Sequence, residues 1–243
     1  MKPFKKGYMK NLIKKNVISL KPSSTLVINE KAKKLKETGK KIYNFGFGQS
    51  PFPVPQKIVN TLKDNAHKKA YLPIQGLPEL RQAISNHLSH RTSAAYPKEN
   101  ILITPGSKEA MLLMHVAFNG EIILPAPSWV SYEPQAKIAK NKVHWIQTKR
   151  ENNWFPTPHQ IEKKIKSIGK NKNIILILNS PNNPSGTICR NLKEIANIAK
   201  KYKIIILSDE IYTDLTFDGG YESISNYYPE ATFVSSGLSK WCG

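Results

Sequence analysis

The chain has 243 residues, 40% of them hydrophobic and 9% aromatic, and a formal net charge of +20. That length can bury a full core and favours one large α/β domain, and the composition excludes a disordered chain. No stretch approaches the roughly 20 apolar residues of a membrane-spanning helix, and the two cysteines, Cys189 and Cys242, make no disulfide framework, so a reduced, cytoplasmic setting is expected.

The charge excess is almost all lysine; the arginines are Arg81, Arg91, Arg150 and Arg190. Arginine is the residue suited to bidentate phosphate and base recognition, so a solvated lysine-rich surface is expected and no nucleic-acid partner. The opening M-K-P-F-K-K-G-Y-M-K lacks the apolar run of a signal peptide, and residues 1–20 read as a solvated basic arm.

In chain order, Ser24 to Gly39 predicts a helix with Ser/Thr at its start and glycine at its end. Lys41 to Gly48 reads as a short strand entering the loop G-F-G-Q-S-P-F-P-V-P. Pro55 to His67 and Pro78 to Arg91 read as amphipathic helices. Strand and helix patterns then alternate. The strands are Asn100 to Thr104, Glu121 to Leu124, Lys142 to Gln147, Asn173 to Leu178, Lys203 to Leu207 and Ala231 to Ser235. The helices between them are Ser107 to Asn119, Ser131 to Lys140, Pro158 to Ile168 and Leu192 to Tyr202. Short β-branched runs separated by helices predict βαβ units and a mostly parallel sheet. Ligands bind beyond the carboxyl ends of such strands, so the loops there are the candidate site.

Four of those loops are unusual. In T-P-G-S-K-E-A, Gly106 permits a tight turn into a helix whose first N–H groups form an anion site, with Ser107 and Lys108 beside it. A plain strand-to-helix turn is an equal reading of that loop alone. In P-A-P-S-W-V, Trp129 is placed either to stack on a flat heteroaromatic ring or as an ordinary core residue. N-S-P-N-N-P-S-G-T is rigid, and Asn183 offers donors and acceptors, although turn chemistry alone also yields such a run. In S-D-E-I-Y, Asp209 is either a helix cap or a buried carboxylate needing a cationic partner, such as a protonated pyridine nitrogen, with Tyr212 three residues on. Finally S-S-G-L-S-K-W-C-G places Lys240 beyond the last strand; a lysine amine can form a Schiff base with an aldehyde.

Together P-N-N-P-S-G-T, D-E-I-Y and S-K resemble the class I/II pyridoxal-phosphate aminotransferases of the aspartate aminotransferase fold, from about Pro22 to Gly243. Asn183 and Asp209 lie 26 residues apart and Lys240 follows 31 residues later, in the family's order. The resemblance implies a three-layer α/β/α sandwich with a mostly parallel sheet. It divides the chain into the arm 1–20, a segment 21–50 of the small-domain region, and an incomplete large cofactor-binding domain 51–243.

It also implies roles. Lys240 would hold pyridoxal 5'-phosphate as a Schiff base and move the substrate proton. Asp209 would keep the pyridine nitrogen protonated. Asn183 and Tyr212 would bond the phenolic oxygen, and Trp129 would stack on the ring. Gly106, Ser107, Lys108 and Ser239 would hold the phosphate, joined by Tyr71 from the partner subunit of a homodimer. Gly48 would line the substrate carboxylate site, and no metal is expected. The family's S-x-S-K has Gly237 at its first serine here, and the arginine-bearing G-W-R-x-G strand and C-terminal small domain expected after the lysine do not follow within these 243 residues. The expected reaction is amino transfer between an L-amino acid, aspartate-like or aromatic, and a 2-oxo acid, in a fragment or truncated enzyme with impaired substrate grip. Alternatives on the same fold are a carbon–sulfur β-lyase and a non-catalytic cofactor-sensing regulator domain.

Overall fold

The β-branched runs form a five-stranded sheet in the computed structural model, which describes residues 12–242 apart from 44, 47, 49, 51, 170 and 218. The strands are β1 (Glu121–Ala126), β2 (Val143–Gln147), β3 (Ile174–Asn179), β4 (Ile205–Asp209) and β5 (Thr232–Ser235). They pair in the order β2-β1-β3-β4-β5, every pair parallel. All six residues of β3 are buried, as expected for a central parallel strand covered on both faces.

Helices α1 (Lys15–Ile18), α2 (Ser24–Glu37), α3 (Gln56–Asn65) and α4 (Pro78–Ser89) precede the sheet. Helices α5 (Ser107–Ala117), α6 (Tyr132–Ile138), α7 (Pro158–Ile168) and α8 (Leu192–Tyr202) sandwich it. Alternate strand residues point to opposite faces, so two cores form. On one face Ile123, Ile146, Leu176, Leu178 and Ile206 pack on Ile161 and Ile165 of α7 and on Leu192, Ile195, Ala196 and Ala199 of α8. On the other, Ile122, Leu124, Ile175, Ile177 and Leu207 pack on Met111 of α5 and on Tyr132 and Ala136 of α6. The expected three-layer α/β/α sandwich is present, and local sequence supports it: α7 starts with a Thr157–Gln160 capping box and a proline in its first turn.

Two expectations are corrected. Asn100 to Thr104 is not a strand: a 3-10 turn spans Lys98–Asn100, and Ile103 donates to the Gln75 carbonyl over 3.0 Å, so this extended segment pairs with a loop. Lys41 to Gly48 contains no strand among its described residues; Tyr43 and Phe45 stand exposed with no partner strand beside them. The described part of the arm, from residue 12, is mostly exposed and meets the fold through Asn16. Asn16 donates through Nδ2 to the carbonyls of Lys137 and Ile138 at the end of α6, the first of which also accepts from the Lys140 amide.

The strand order reverses between β1 and β3, with α6 leaving β1 on one face and α8 leaving β3 on the other. That reversal is where an open α/β sheet forms its ligand crevice. The loops after β1, β3 and β4 and the segment after β5 all emerge at that end of the sheet.

Candidate active site

Asp209 ends β4 and is 3% exposed. Its Oδ2 accepts a 2.5 Å hydrogen bond from the Tyr132 hydroxyl, and its Oδ1 accepts from the Ile211 amide at 3.2 Å. Among the described residues no Lys, Arg or His nitrogen lies within ion-pair distance of it. Burial pushes its carboxyl up to about 6, against the opposing pull of the Tyr132 hydroxyl, the Ile211 amide and the Lys240 charge.

The β3–β4 register sets Asn179 beside Asp209. Asn179 Nδ2 donates to the Asp209 carbonyl over 2.9 Å, and Asn179 Oδ1 accepts the Asn183 amide at 2.7 Å. This arrangement carries the Asn183 side chain to Tyr212, whose hydroxyl accepts from Asn183 Nδ2 at 3.1 Å. Lys240, half-buried, places Nζ 5.8 Å from the centre of the Tyr212 ring. Asn183, Asp209, Tyr212 and Lys240 are therefore one group, drawn from three strand ends.

The Trp129 ring is partly buried, meets Tyr132 edge-on at 5.3 Å and 81°, and carries Lys108 Nζ 5.1 Å over its face. Gln135 Nε2 ties the Lys108 carbonyl to α6 at 2.7 Å, which brings the start of α5 to this wall. Gly106, at φ 86°, turns the chain into α5, and among the described residues no side chain caps the start of that helix. Open space lies where a Gly106 Cβ would stand. Gly48, Tyr71 and Ser239 are all exposed, and the Tyr71 side chain is fully solvated among the described residues.

Sequence reasoning missed three participants. Tyr132 opens α6, three residues after Trp129 in the chain. Asn179 was read only as the start of a rigid loop. Glu210, 4% exposed, accepts from Ser208 Oγ at 2.8 Å, from Ser223 Oγ at 2.7 Å and from the Tyr221 hydroxyl. Burial pushes its carboxyl up, and those hydroxyls oppose the rise. This network fastens residues 221–225 behind Asp209.

The family's sequence pattern, aminotransferase class I and II, matches residues 40–243. The chain belongs to that family. It is 35% identical over 243 aligned residues to an aspartate aminotransferase of Bacillus sp. strain YM-2, covering 96% of this chain and 61% of that one. It is 32% identical to an asparagine–oxo-acid transaminase of Streptococcus mutans, covering 94% of this chain and 60% of that one. Among solved structures, the aspartate aminotransferase from Thermus thermophilus with maleate superimposes with a TM-score of 0.87 at 28% identity, over 94% of this chain and 60% of that one. The chain thus spans about 60% of the length of the relatives it matches.

Pyridoxal 5'-phosphate is the family's cofactor. The residues present fit it. Asp209 is a buried carboxylate lacking a cation, which a protonated ring nitrogen would supply. The uncapped start of α5 behind Gly106 suits a phosphate. Among the described residues Ser128 Oγ and Ser235 Oγ, buried at the ends of β1 and β5, have no hydrogen-bond partner, leaving polar capacity unspent where the crevice opens.

Proposed function

We propose that this chain is the cofactor-binding portion of an aminotransferase that moves an amino group between an L-amino acid, aspartate-like or aromatic, and a 2-oxo acid. The observation that carries the reading is the convergence of Lys240, Tyr212, Asn183 and Asp209 at one end of the sheet. Relatives named as aspartate, asparagine–oxo-acid and aspartate/prephenate aminotransferases support the substrate class.

When bound, pyridoxal 5'-phosphate supplies an aldehyde carbon that condenses with amines and a ring that takes up electrons. Asp209 is assigned the ring nitrogen, where its carboxylate would hold the proton. Asn183 Nδ2 and the Tyr212 hydroxyl are assigned the phenolic oxygen. Trp129 is assigned the ring face, and Gly106, Ser107, Lys108 and Ser239 the phosphate. Lys240 Nζ is the amine assigned to anchor the cofactor and to carry the mobile proton. Gly48 is assigned to the substrate carboxylate. The full exposure of Tyr71 supports its assignment to the neighbouring subunit of a homodimer. Residues 51–243 are assigned to the large domain and 21–50 to the small-domain region. The soluble, cytoplasmic setting belongs to the same reading; no helix among the described residues is long and apolar enough to cross a membrane.

The test is to mix the chain with pyridoxal 5'-phosphate, reduce with borohydride and map the labelled peptide. The adduct is expected on Lys240. Labelling on another lysine, or none, overturns the assignment.

A further inference from the structure

Tyr132 is 1% exposed and begins α6. Its ring is enclosed by the apolar cluster of Met111, Ile122, Leu124, Ile175, Ile177 and Leu207, with the edge contact to Trp129 fixing its tilt. A phenol buried this deeply needs a partner for its hydroxyl. Here the partner is Asp209, 77 residues away, and since an ionised carboxylate only accepts, the phenol is the donor.

We propose that Tyr132 is the positioning residue for Asp209: its hydroxyl fixes the orientation of the carboxylate and keeps it ionised at the dry end of β4. The inference rests on the assignment of Asp209 to the cofactor's ring nitrogen and adds the residue that prepares Asp209 for that task.

The groups facing Asp209 are few. Tyr132 comes from α6, the Ile211 amide and the Tyr212 phenol from the turn after β4, and Lys240 from the segment after β5. Glu210 follows in the chain, its carboxylate engaged by Ser208, Ser223 and Tyr221. Of the influences that oppose burial at Asp209, the Tyr132 hydrogen bond is the largest, ahead of the Ile211 amide and Lys240. Burial, reinforced by the adjacent carboxylate, holds the Tyr132 phenol well above its ordinary range, so the phenol keeps its proton and remains a donor. Without that donor the carboxyl of Asp209 would take up a proton near neutrality, and a neutral acid cannot counter a cationic ring nitrogen. The two oxygens are already divided between two donors from different elements, so the plane of the carboxylate is set before any ligand arrives.

The test is an NMR titration of isotope-labelled aspartate carboxyls in the cofactor-free chain, with the Asp209 signal assigned from its loss in Asp209→Asn. In Tyr132→Phe, which removes only the hydroxyl, the Asp209 midpoint is expected to rise by about one pH unit or more, a tenfold weaker acid. Fluorotyrosine at position 132, a stronger donor of nearly the same shape, is expected to lower it. An unmoved midpoint in folded Tyr132→Phe overturns the proposal. If that variant does not fold by circular dichroism, an unmoved midpoint in the fluorotyrosine chain overturns it instead. Borohydride labelling of the parent chain reads the cofactor assignment separately. A Lys240 adduct with an unmoved Asp209 midpoint sinks the Tyr132 role alone, and a shifted midpoint without the adduct supports Tyr132 while sinking the cofactor assignment.

Discussion

The Asn183 side-chain amide donates to the Tyr212 hydroxyl over 3.1 Å, joining two loops 29 residues apart in the chain. The bond exists because β3 and β4 are neighbours in a register that sets Asn179 beside Asp209, and each loop leaves its strand at the same level. A partly buried neutral hydrogen bond of this kind contributes about 0.5–1.5 kcal/mol. Asn183→Ala and Tyr212→Phe should each destabilise the cofactor-free chain by about 1 kcal/mol, and the double variant should cost less than the sum, because both remove one bond. Urea unfolding of the four proteins in the cycle measures this; strict additivity would show that the bond contributes nothing.

Gly76 meets Ile103 where the loop that carries Tyr71 crosses the segment leading to Gly106. Its φ is +98°, and an added Cβ would lie 2.6 Å from Ile103 Cβ and Cγ1. Arg81 fastens the same crossing from α4, donating to Gln75 Oε1 at 2.7 Å and to the Lys98 carbonyl at 3.1 Å. Gly76→Ala should therefore cost about 1–3 kcal/mol through overpacking and backbone strain. Adding Ile103→Ala should recover part of the loss by relieving the clash and leaving the strain. Thermal unfolding checks both, and a neutral Gly76→Ala would contradict the packing described.

His115 on α5 is 1% exposed, and neither ring nitrogen has a hydrogen-bond partner among the described residues. Burial lowers its pKa to about 4, with the nearby Asn141 side chain opposing. The folded value lies below the unfolded one of about 6.5, so the unfolded chain takes up the proton first as pH falls. Stability from the neutral imidazole is complete above about pH 6.5 and is lost progressively down to about pH 4, by about 3 kcal/mol. His115→Leu should flatten that part of the stability profile. An unchanged slope between those pH values would exclude His115 as its source.

Asp209 acts with the opposite sign. Its folded pKa of about 6 lies above the ordinary aspartate value of 3.8. Ionisation therefore disfavours the cofactor-free fold at neutral and higher pH, and the penalty fades as pH falls through 6 toward 4. Asp209→Asn should raise stability near pH 8 by up to about 3 kcal/mol, with little gain near pH 4, because the Tyr132 hydroxyl can turn to accept from the new amide. The same substitution should weaken cofactor retention, measured by dialysis and absorbance. Equal stability of the two chains at pH 8 would refute the cost assigned to the buried charge. A functional carboxylate that destabilises the empty fold is an expected trade.

Much of the architecture was legible because it rests on local pattern. The prolines that open α4 and α7, joined at α7 by the Thr157–Gln160 capping box, announce those helices within a few residues. The β-branched runs at β1, β3 and β4 declare buried parallel strands. Asn100 to Thr104 has the same extended character but no strand beside it, and pairing is not a local property. The docking of Asn16 on α6 was equally hidden, since it depends on where the end of α6 comes to lie.

Of the candidate site, the order and chemistry of Asn183, Asp209, Tyr212 and Lys240 stood in the sequence alone, because each belongs to a short motif at a strand end. Only the tertiary structure decided that Tyr132 holds Asp209, that Glu210 faces a separate cage of hydroxyls, and that Arg81 is buried under the Tyr71 loop. These contacts join residues far apart in the chain. Their geometry follows from strand order and helix docking, and burial then sets the charge and hydrogen bonding of each group, which no local run of residues encodes.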